Sequence, residues 1–386
     1  MNYPLMIVGR VVFGLGGESM SVAQSSIISV WFKGKELAFA LGFNLSVSRL
    51  GSVINSNTIP QLYDAAPEDN KFGLPFFVGF LICVFSLVNA VGIVLLDLKA
   101  EKLNPRSEKL TLGDDDKFKF SDLMKFKLPF WLLTGSCVVT YMSVFPYIQI
   151  SSKLLQDKYG FDKDMAGKLF SVPYLISAIS SPFLGFFIDR IGRRALLISV
   201  SSVILITAYS LSMVMPSCDQ CYNEMYPLVL TGVGYSIYAS AIWGSVPYTV
   251  LPQTVGSAFG ICTAIQNIGL VVAPLIVAKI HENTTRNFGY FWVCAFFVAI
   301  NVVGLLLNLT LYYVDRKYYD GVLDKVESDD RLTQLMSTPN VNLSKKEIMS
   351  RSMAKTRTAQ NLLDYKLEES NRESLKRSFA TKRPYQ

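Results

Sequence analysis

Two ionisable residues fall in the middle of long apolar stretches of this chain: Glu18, within residues 4–29, and Arg49, within residues 37–59. A charged side chain inside a membrane is costly, so such a residue usually has a functional partner. A carboxylate can bind an ammonium group, and a guanidinium can bind a carboxylate through paired hydrogen bonds. Two uses are therefore open. Either the two residues bind the opposite charges of one ligand, or they pair with each other and join two helices until a ligand replaces that pair.

The stretches that carry these residues belong to a pattern of membrane-spanning helices. The chain has 386 residues, of which 51% are hydrophobic and 17% charged, and the charge is nearly absent from long runs. A hydrocarbon core requires about 20 apolar residues per helix, and only hydrogen-bonded helices or closed barrels can cross it. We therefore predict an all-α membrane protein with nine spans. The spans are residues 4–29, 37–59, 74–97, 129–150, 166–188, 195–215, 226–248, 255–279 and 289–313.

A charged loop and a glycine-rich helix resemble the major facilitator superfamily. The loop is Gly185-Phe-Phe-Ile-Asp189-Arg190-Ile-Gly192-Arg193-Arg194, and the helix motif is Gly9-Arg10-Val-Val-Phe-Gly14-Leu-Gly16-Gly17. The resemblance implies a major facilitator superfamily fold in which nine of twelve transmembrane helices are present and the first three are absent. A fragment, a spliced form without transport and a self-completing oligomer, including a homodimer, are the explanations in order of preference.

The resemblance also divides the chain into four parts. Residues 1–97 would be the second half of the N-terminal bundle, with three helices, and 98–128 a cytosolic linker. Residues 129–314 would be the C-terminal six-helix bundle. Residues 315–386, rich in Lys, Glu and Ser, would be a disordered cytosolic tail.

Further segments resemble a branch of the superfamily whose members are lysosomal dipeptide carriers. They are Gly16–Ser19, Val22–Gln24, Trp31–Leu37, Ser48–Ser52, Ala241–Trp243 and Ile265–Leu270. This implies a transporter of the lysosomal membrane, with the plasma membrane as the alternative, that exports dipeptides by alternating access. It also implies an accessory subunit, a heavily glycosylated lysosomal membrane protein. In that branch the residues matching Glu18 and Arg49 bind the substrate amino and carboxyl groups, the parts that every dipeptide shares.

For other polar and aromatic residues, alternative roles are open. We expect Asp189 to cap a helix start and Arg190, Gly192, Arg193 and Arg194 to complete a gate, the alternative being simple anchoring by positive charge. Arg10 is interpreted as a packing residue, with proton movement as the alternative. Trp243, with Tyr235, Tyr238 and Tyr248, could line the substrate cavity, although aromatic residues in membrane helices more often only pack. Gln266 and Asn267 are expected to make interhelical hydrogen bonds.

Charge asymmetry predicts the orientation. Thirteen Lys and Arg residues fall in the loops of one side against seven on the other, so the richer side and the C-terminus should be cytosolic. On the opposite, lumenal side lie a glycosylation sequon at Asn283 and the pair Cys218 and Cys221, which would be either a disulfide or two free thiols.

Several function classes are not indicated. The chain lacks a phosphate-binding G-x-x-x-x-G-K-[ST] loop, and its single histidine is a poor start for a catalytic site or a metal site, so we expect no enzyme activity, cofactor or metal. The basic residues report orientation, not nucleic-acid binding. Glu18 is the only central carboxylate in the predicted spans. Because the substrate requires it, it is not available to carry a coupling proton, which favours a uniporter. The alternatives are a proton-coupled carrier of another solute, such as a sugar or an organic anion, and a truncated, non-transporting form that binds a partner subunit.

Overall fold

The computed structural model describes residues 3–32, 36–67, 71–103, 126–250, 254–284, 288–319 and 321–325. These residues form ten α-helices and two 3-10 turns, Tyr222–Glu224 and Val322–Asp324, and no strand. The helices are α1 (Tyr3–Trp31), α2 (Leu37–Ala65), α3 (Gly73–Leu103), α4 (Leu128–Tyr159), α5 (Lys163–Phe170), α6 (Val172–Ile191), α7 (Arg194–Val214), α8 (Met225–Thr249), α9 (Val255–Glu282) and α10 (Tyr290–Tyr318).

The prediction of nine membrane spans is confirmed within the described residues. Each predicted stretch coincides with a helix long and apolar enough to cross a membrane, and α5 and α6 together form the fifth span. The break inside that span lies at Ser171, two residues before Pro173. Proline lacks the N–H that would continue a helical ladder, which explains why a new helix starts here.

Helices α3 and α4 both extend beyond the ends predicted from the sequence. Helix α3 continues to Leu103, within the predicted 98–128 linker, and α4 continues to Tyr159 instead of residue 150. A helix can continue through polar residues outside the hydrocarbon layer, so the end of an apolar run does not mark the end of the helix. Residues 104–125 lie outside the described residues.

The prediction of disorder from residue 315 is wrong for the first part of that segment. Helix α10 continues to Tyr318, and the turn at Val322–Asp324 packs back on the protein with the Leu323 side chain fully buried. The backbone N–H of Leu323 donates a 3.2 Å hydrogen bond to the carboxylate of Asp315, which holds the turn in place. Residues 326–386 lie outside the described residues.

The C-terminal helices form the main core, and the N-terminal helices attach to it separately. Helices α4, α7, α8 and α10 pack around buried tyrosines, while α2 packs mainly along α6 and also touches α8. Helix α1 lies mainly against α9, and α3 touches α2. The most apolar segments of α1 and α3 contain no buried residue, so these two helices present apolar side chains outward along most of their length.

The helix ends and the loops that join them lie at two opposite ends of the helix bundle. The start of α2, the loop between α6 and α7, the end of α8 and the turn after α10 are joined by hydrogen bonds and form what we call the gate end. The α4–α5, α7–α8 and α9–α10 connections lie at the opposite end, as the alternation of spans requires.

Candidate functional site

Arg49 lies within a cage of aromatic rings contributed by three other helices. Its Cζ atom is 5.0 Å from the ring centres of Phe145 on α4 and Tyr235 on α8, and 5.9 Å from that of Tyr174 on α6. One terminal nitrogen donates to the Tyr235 hydroxyl, while Nε is buried without a hydrogen-bond partner. Aromatic faces attract a cation but leave its charge in place. The guanidinium therefore keeps its charge and part of its donor capacity.

A second aromatic pair extends this cage along α8. The indole of Trp243 donates a 2.7 Å hydrogen bond to the hydroxyl of Tyr141 on α4, and the Tyr141 ring meets the Tyr235 ring edge-on at 5.9 Å. Trp243 also stacks on Phe259 of α9, with ring centres 6.1 Å apart. Trp243 thus borders the cage through Tyr141 and does not itself contact Arg49 in this structure.

The three tyrosines grouped with Trp243 in the sequence have separate positions. Tyr235 is the one that contacts Arg49. Tyr238 is fully buried behind it, with its hydroxyl 2.8 Å from the Ser136 hydroxyl. Tyr248 lies at the gate end, where its hydroxyl accepts a 3.3 Å hydrogen bond from Arg194. Of these three tyrosines, Tyr235 alone therefore lines the Arg49 cage directly.

Glu18 stands at nearly the same depth as Arg49 but does not contact it. A 2.7 Å hydrogen bond from Gln24 on α1 to Asn44 on α2 sets the register of these antiparallel helices. Glu18 lies six residues from Gln24, and Arg49 lies five residues from Asn44, both in the direction away from the gate end. On ideal helices these separations are about 9 Å and 7.5 Å. The two side chains form no ion pair here, and Glu18 is exposed.

The face of α1 that carries Glu18 is the one that lies against α9. Glu18, Val22 and Ser26 are spaced by one turn and share a face. A Cβ placed on Gly256 of α9 would be 3.3 Å from the Ser26 hydroxyl, and one on Gly260 would be 3.9 Å from the Val22 side chain. Glu18 continues this stripe one turn beyond these contacts. Its carboxylate is therefore directed to the α9 side of α1 and remains accessible.

At the gate end, glycines allow α2 and α6 to touch through their backbones. A Cβ on Gly185 would lie 2.3 Å from the carbonyl oxygen of Ala38, and one on Gly42 would lie 2.6 Å from that of Ser181. Real Cβ atoms do not approach so closely. The Gly185 position of the loop motif is therefore required for close helix packing, as small residues at membrane-helix interfaces generally are.

The charged residues of the loop join the two helices electrostatically. The carboxylate of Asp189, at the end of α6, accepts hydrogen bonds of 3.1 Å and 2.8 Å from the backbone N–H groups of Ala38 and Phe39 at the start of α2. The fully buried Arg194 lies 3.6 Å from the same carboxylate. A carboxylate at a helix start satisfies free N–H groups and complements the helix dipole. Asp189 thus caps a helix start, although the helix is α2 rather than its own neighbour in sequence.

The remaining two arginines of the loop are exposed. Arg193 adopts a left-handed backbone conformation with φ 49°, and Arg190 stacks its guanidinium over Phe186 at 4.2 Å. Gly192, with φ 69°, occupies a conformation that L side chains rarely adopt. The loop therefore uses Asp189 and Arg194 for contacts between helices, and Gly192 for the turn.

Comparison with known proteins assigns this arrangement to a family. A model of the Major Facilitator Superfamily matches residues 1–216 and 134–348. The chain belongs to this superfamily. Lysosomal dipeptide transporter MFSD1 of Homo sapiens is 33% identical over 318 residues, which is 81% of this chain and 66% of that protein. The Danio rerio protein of the same name is 34% identical over 329 residues, 84% of this chain and 68% of that protein.

The chain therefore spans about two thirds of the length of these curated relatives. A crystal structure of a bacterial homologue of the iron transporter ferroportin, in an outward-facing state, matches with a TM-score of 0.50. It is 14% identical and covers 72% of this chain and 64% of that one, which shows a shared fold.

Other residues singled out in the sequence lie apart from the Arg49 cage. Arg10 is exposed on α1. Cys218 and Cys221 form a disulfide at the opposite end from the gate. Asn283 ends α9 with an exposed side chain, and the third residue of its sequon, Thr285, lies outside the described residues. Gln266 is buried and accepts from the Cys137 thiol at 3.6 Å, a contact between α9 and α4.

A buried carboxylate that the sequence reasoning missed lies behind α4. Glu224 is fully buried and accepts hydrogen bonds from the hydroxyls of Tyr147 at 2.9 Å, Tyr159 at 3.0 Å, and Ser212. Lys158, also buried, donates to the Ser212 carbonyl at 3.1 Å. Glu224 lies two residues before the predicted 226–248 span, in the turn that precedes α8, and hydropathy does not indicate its burial. Within the described residues no group of three His, Cys, Asp or Glu side chains is placed to hold a metal ion.

Proposed function

We propose that the protein containing this chain is a dipeptide uniporter of the lysosomal membrane, which exports dipeptides to the cytosol by alternating access. The observation that carries the proposal is the state of Arg49. Its guanidinium lies in the middle of a membrane-spanning helix, surrounded by aromatic rings, and donates a hydrogen bond to a phenol. The relatives that share most of this chain carry the name lysosomal dipeptide transporter, which supports the substrate and the compartment.

A carboxylate-bearing substrate fits the unused capacity of Arg49. A cation held in a low-dielectric region without an anionic partner gains much from one. The buried Nε provides a donor on the edge of the guanidinium that a substrate carboxylate would use together with a terminal nitrogen. Cation–π contacts from Phe145, Tyr174 and Tyr235 hold the group in place while its substrate is absent.

The position of Glu18 supports a zwitterionic substrate. Glu18 lies at nearly the same depth as Arg49, and the two side chains do not pair with each other in this structure. A substrate with an ammonium group and a carboxylate joined by a short backbone would pair with both residues, the ammonium with Glu18 and the carboxylate with Arg49. Because Glu18 and Arg49 would bind the two ends of the backbone, the substrate side chains would remain free to vary against Trp243 and its aromatic neighbours.

The gate end supports alternating access. Superfamily transporters move two helix bundles around a midplane site, which requires a contact that can close one side. The glycine contacts between α2 and α6 and the Asp189 cap form such a contact between the N-terminal and C-terminal helices. We place this end in the cytosol because of its excess of Lys and Arg.

Two partner assignments follow the family resemblance and are proposals as well. We place a heavily glycosylated accessory subunit on the lumenal side, where Asn283 would itself carry a glycan. Co-purification of such a glycoprotein with the complete protein from lysosomal membranes tests the first point. A mass shift on glycosidase treatment that disappears in Asn283→Gln tests the second.

Uptake of dipeptides into proteoliposomes tests the site. We expect Glu18→Gln and Arg49→Ala, introduced into the complete protein that contains this sequence, to abolish uptake. Glu282→Gln and Lys279→Gln, which remove exposed charges near the opposite end, serve as matched controls and should transport normally. Wild-type uptake in both site variants would disprove the assignment. Uptake that requires an imposed proton gradient would replace the uniporter with a proton-coupled carrier.

A further inference from the structure

We infer that the turn that follows the last helix, residues 321–325, is a working part of the gate. We call this segment the latch. It positions Arg194 and thereby helps to hold α2 against α6. The inference rests on the alternating-access part of the proposed function, but it concerns a segment outside the membrane region and is independent of the substrate.

The latch is a folded element with its own anchor. Gly321 has φ 68° and its N–H donates a 3.0 Å hydrogen bond to the carbonyl of Asp315, which reverses the chain after α10. The carboxylate of Asp315, fully buried, then accepts from the N–H of Leu323. Leu323 is fully buried and Val322 nearly so. Apolar burial and these hydrogen bonds therefore fix the position of the turn.

The latch makes direct contacts with the charged loop of the family motif. The carbonyl of Asp324 accepts a 3.2 Å hydrogen bond from the N–H of Arg193, and the carbonyl of Lys325 accepts one of 3.0 Å from the Arg194 guanidinium. A Cβ on Gly192 would lie 2.4 Å from the Asp324 carbonyl oxygen. The absence of a side chain at Gly192 thus admits the latch, in addition to permitting the turn.

The loop connects the latch to α2, in the N-terminal part of the chain. Arg194 is fully buried, so its donors require protein partners. It has the Lys325 carbonyl, the Tyr248 hydroxyl and the Asp189 carboxylate. Asp189 in turn caps α2. Three successive polar contacts therefore connect the start of the tail to the first turn of α2: Lys325 to Arg194, Arg194 to Asp189, and Asp189 to α2.

A simple helix C-cap would not require these contacts. The bonds between Asp315, Gly321 and Leu323 already end α10, whereas the bonds to Arg193 and Arg194 lead to another helix. If the latch were only the beginning of the tail, its removal would leave the gate unchanged. If it positions Arg194, its removal weakens the Asp189 cap and lets α2 separate from α6 more often.

Two truncations of the complete protein separate these cases. One ends after Tyr319 and lacks the latch, and its matched control ends after Lys325 and keeps it. The reporter is Ser181→Cys, an almost isosteric change at a fully buried position between α6 and α2. It is made in a Cys83→Ser background, because Cys83 is exposed while the other free cysteines, Cys137, Cys262 and Cys294, are buried.

We expect N-ethylmaleimide to modify the introduced thiol about tenfold faster without the latch than with it, the size expected from losing about two hydrogen bonds. The control truncation should react like the full chain. Equal rates in the two truncations would overturn the inference. So would an increase that is matched at Cys137, deep in the C-terminal bundle, because it would report general unfolding.

A point variant covers the case in which the short truncation does not fold. Leu323→Ala, in the full chain, loosens the latch and should raise the same reaction rate severalfold. Leu309→Ala, on an exposed face of α10, removes the same atoms without touching the latch and should leave the rate unchanged. A Leu323→Ala rate equal to that of Leu309→Ala would overturn the inference. No substrate is present in any of these reactions, so failure of the dipeptide assignment would not affect them.

Discussion

The hydroxyl of Tyr235 accepts a hydrogen bond from the Arg49 guanidinium, while the Tyr235 ring lies 5.0 Å from Cζ of the same group. One tyrosine of α8 thus holds an arginine of α2 in two ways. Neither contact neutralises the arginine, because a phenol and an aromatic face are both uncharged. The pair therefore joins the N-terminal and C-terminal helices at the depth of the proposed substrate site and leaves the charge available.

Removing only the hydroxyl of this tyrosine should weaken substrate binding. In Tyr235→Phe the ring contact remains and one hydrogen bond, about 1 kcal/mol, is lost, so we expect the KM for dipeptides to rise about fivefold with little change in kcat. Initial rates of uptake over a range of dipeptide concentrations measure this. The control is Tyr209→Phe, a buried tyrosine of α7 whose hydroxyl reaches Ser143 at 3.5 Å. Similar KM changes in both variants would contradict the prediction.

Blocking one end of the substrate should reproduce the loss of the residue that binds it. N-acetylation removes the ammonium group, and amidation removes the carboxylate, so each should lower uptake by the normal protein at least tenfold. N-acetylation should add little further loss in Glu18→Gln, and amidation little in Arg49→Ala, because the partner is already absent. Because these variants are expected to lose uptake, displacement of a labelled unmodified dipeptide from the purified proteins measures the affinities instead. If N-acetylation weakened binding as much in Glu18→Gln as in the normal protein, and amidation as much in Arg49→Ala, the two ends of the substrate would be bound by other residues.

Filling the glycine contact at the gate end should destabilise the packed α2–α6 pair. Gly185→Ala places a Cβ 2.3 Å from the Ala38 carbonyl, and overpacking of this kind costs about 1–3 kcal/mol. We expect a Tm lower by several degrees in detergent and faster maleimide labelling of Ser181→Cys. Gly79→Ala is the matched control, because nothing lies within 4 Å of a Cβ there. A Tm equal to that of the control would show that the helices are not held together as described.

The buried carboxylate behind α4 should be required for stability rather than for binding. Glu224→Gln keeps the volume but replaces an acceptor of three hydroxyl hydrogen bonds with a group that also donates, near the buried Lys158. A loss of about 2 kcal/mol is expected, since a buried network is left partly unsatisfied. Thermal unfolding measures it, with the exposed Glu282→Gln as control. An unchanged Tm, or a changed KM at normal Tm, would contradict the structural role.

The sequence alone predicted the nine spans, the loop motif and the choice of Glu18 and Arg49 as site candidates. These features are local: hydrocarbon thickness sets the length of an apolar run, and a charge inside such a run is visible without knowing its neighbours. Their limits are also local. Hydropathy ended α3 and α4 too early, because a helix can continue beyond its apolar run, and it did not indicate that Glu224, outside the predicted spans, is buried.

Only the tertiary structure decided which residues meet. It brought Tyr235, Phe145 and Tyr174 around Arg49, moved Tyr248 to Arg194, and folded residues 321–325 onto the loop at Gly192. Each of these contacts joins residues more than fifty positions apart in the chain. Such contacts depend on how helices pack and rotate against each other, which composition and spacing within one helix do not determine. The sequence thus identified the two charges, and the packing of α2 against α6 and α8 determined which residues surround Arg49.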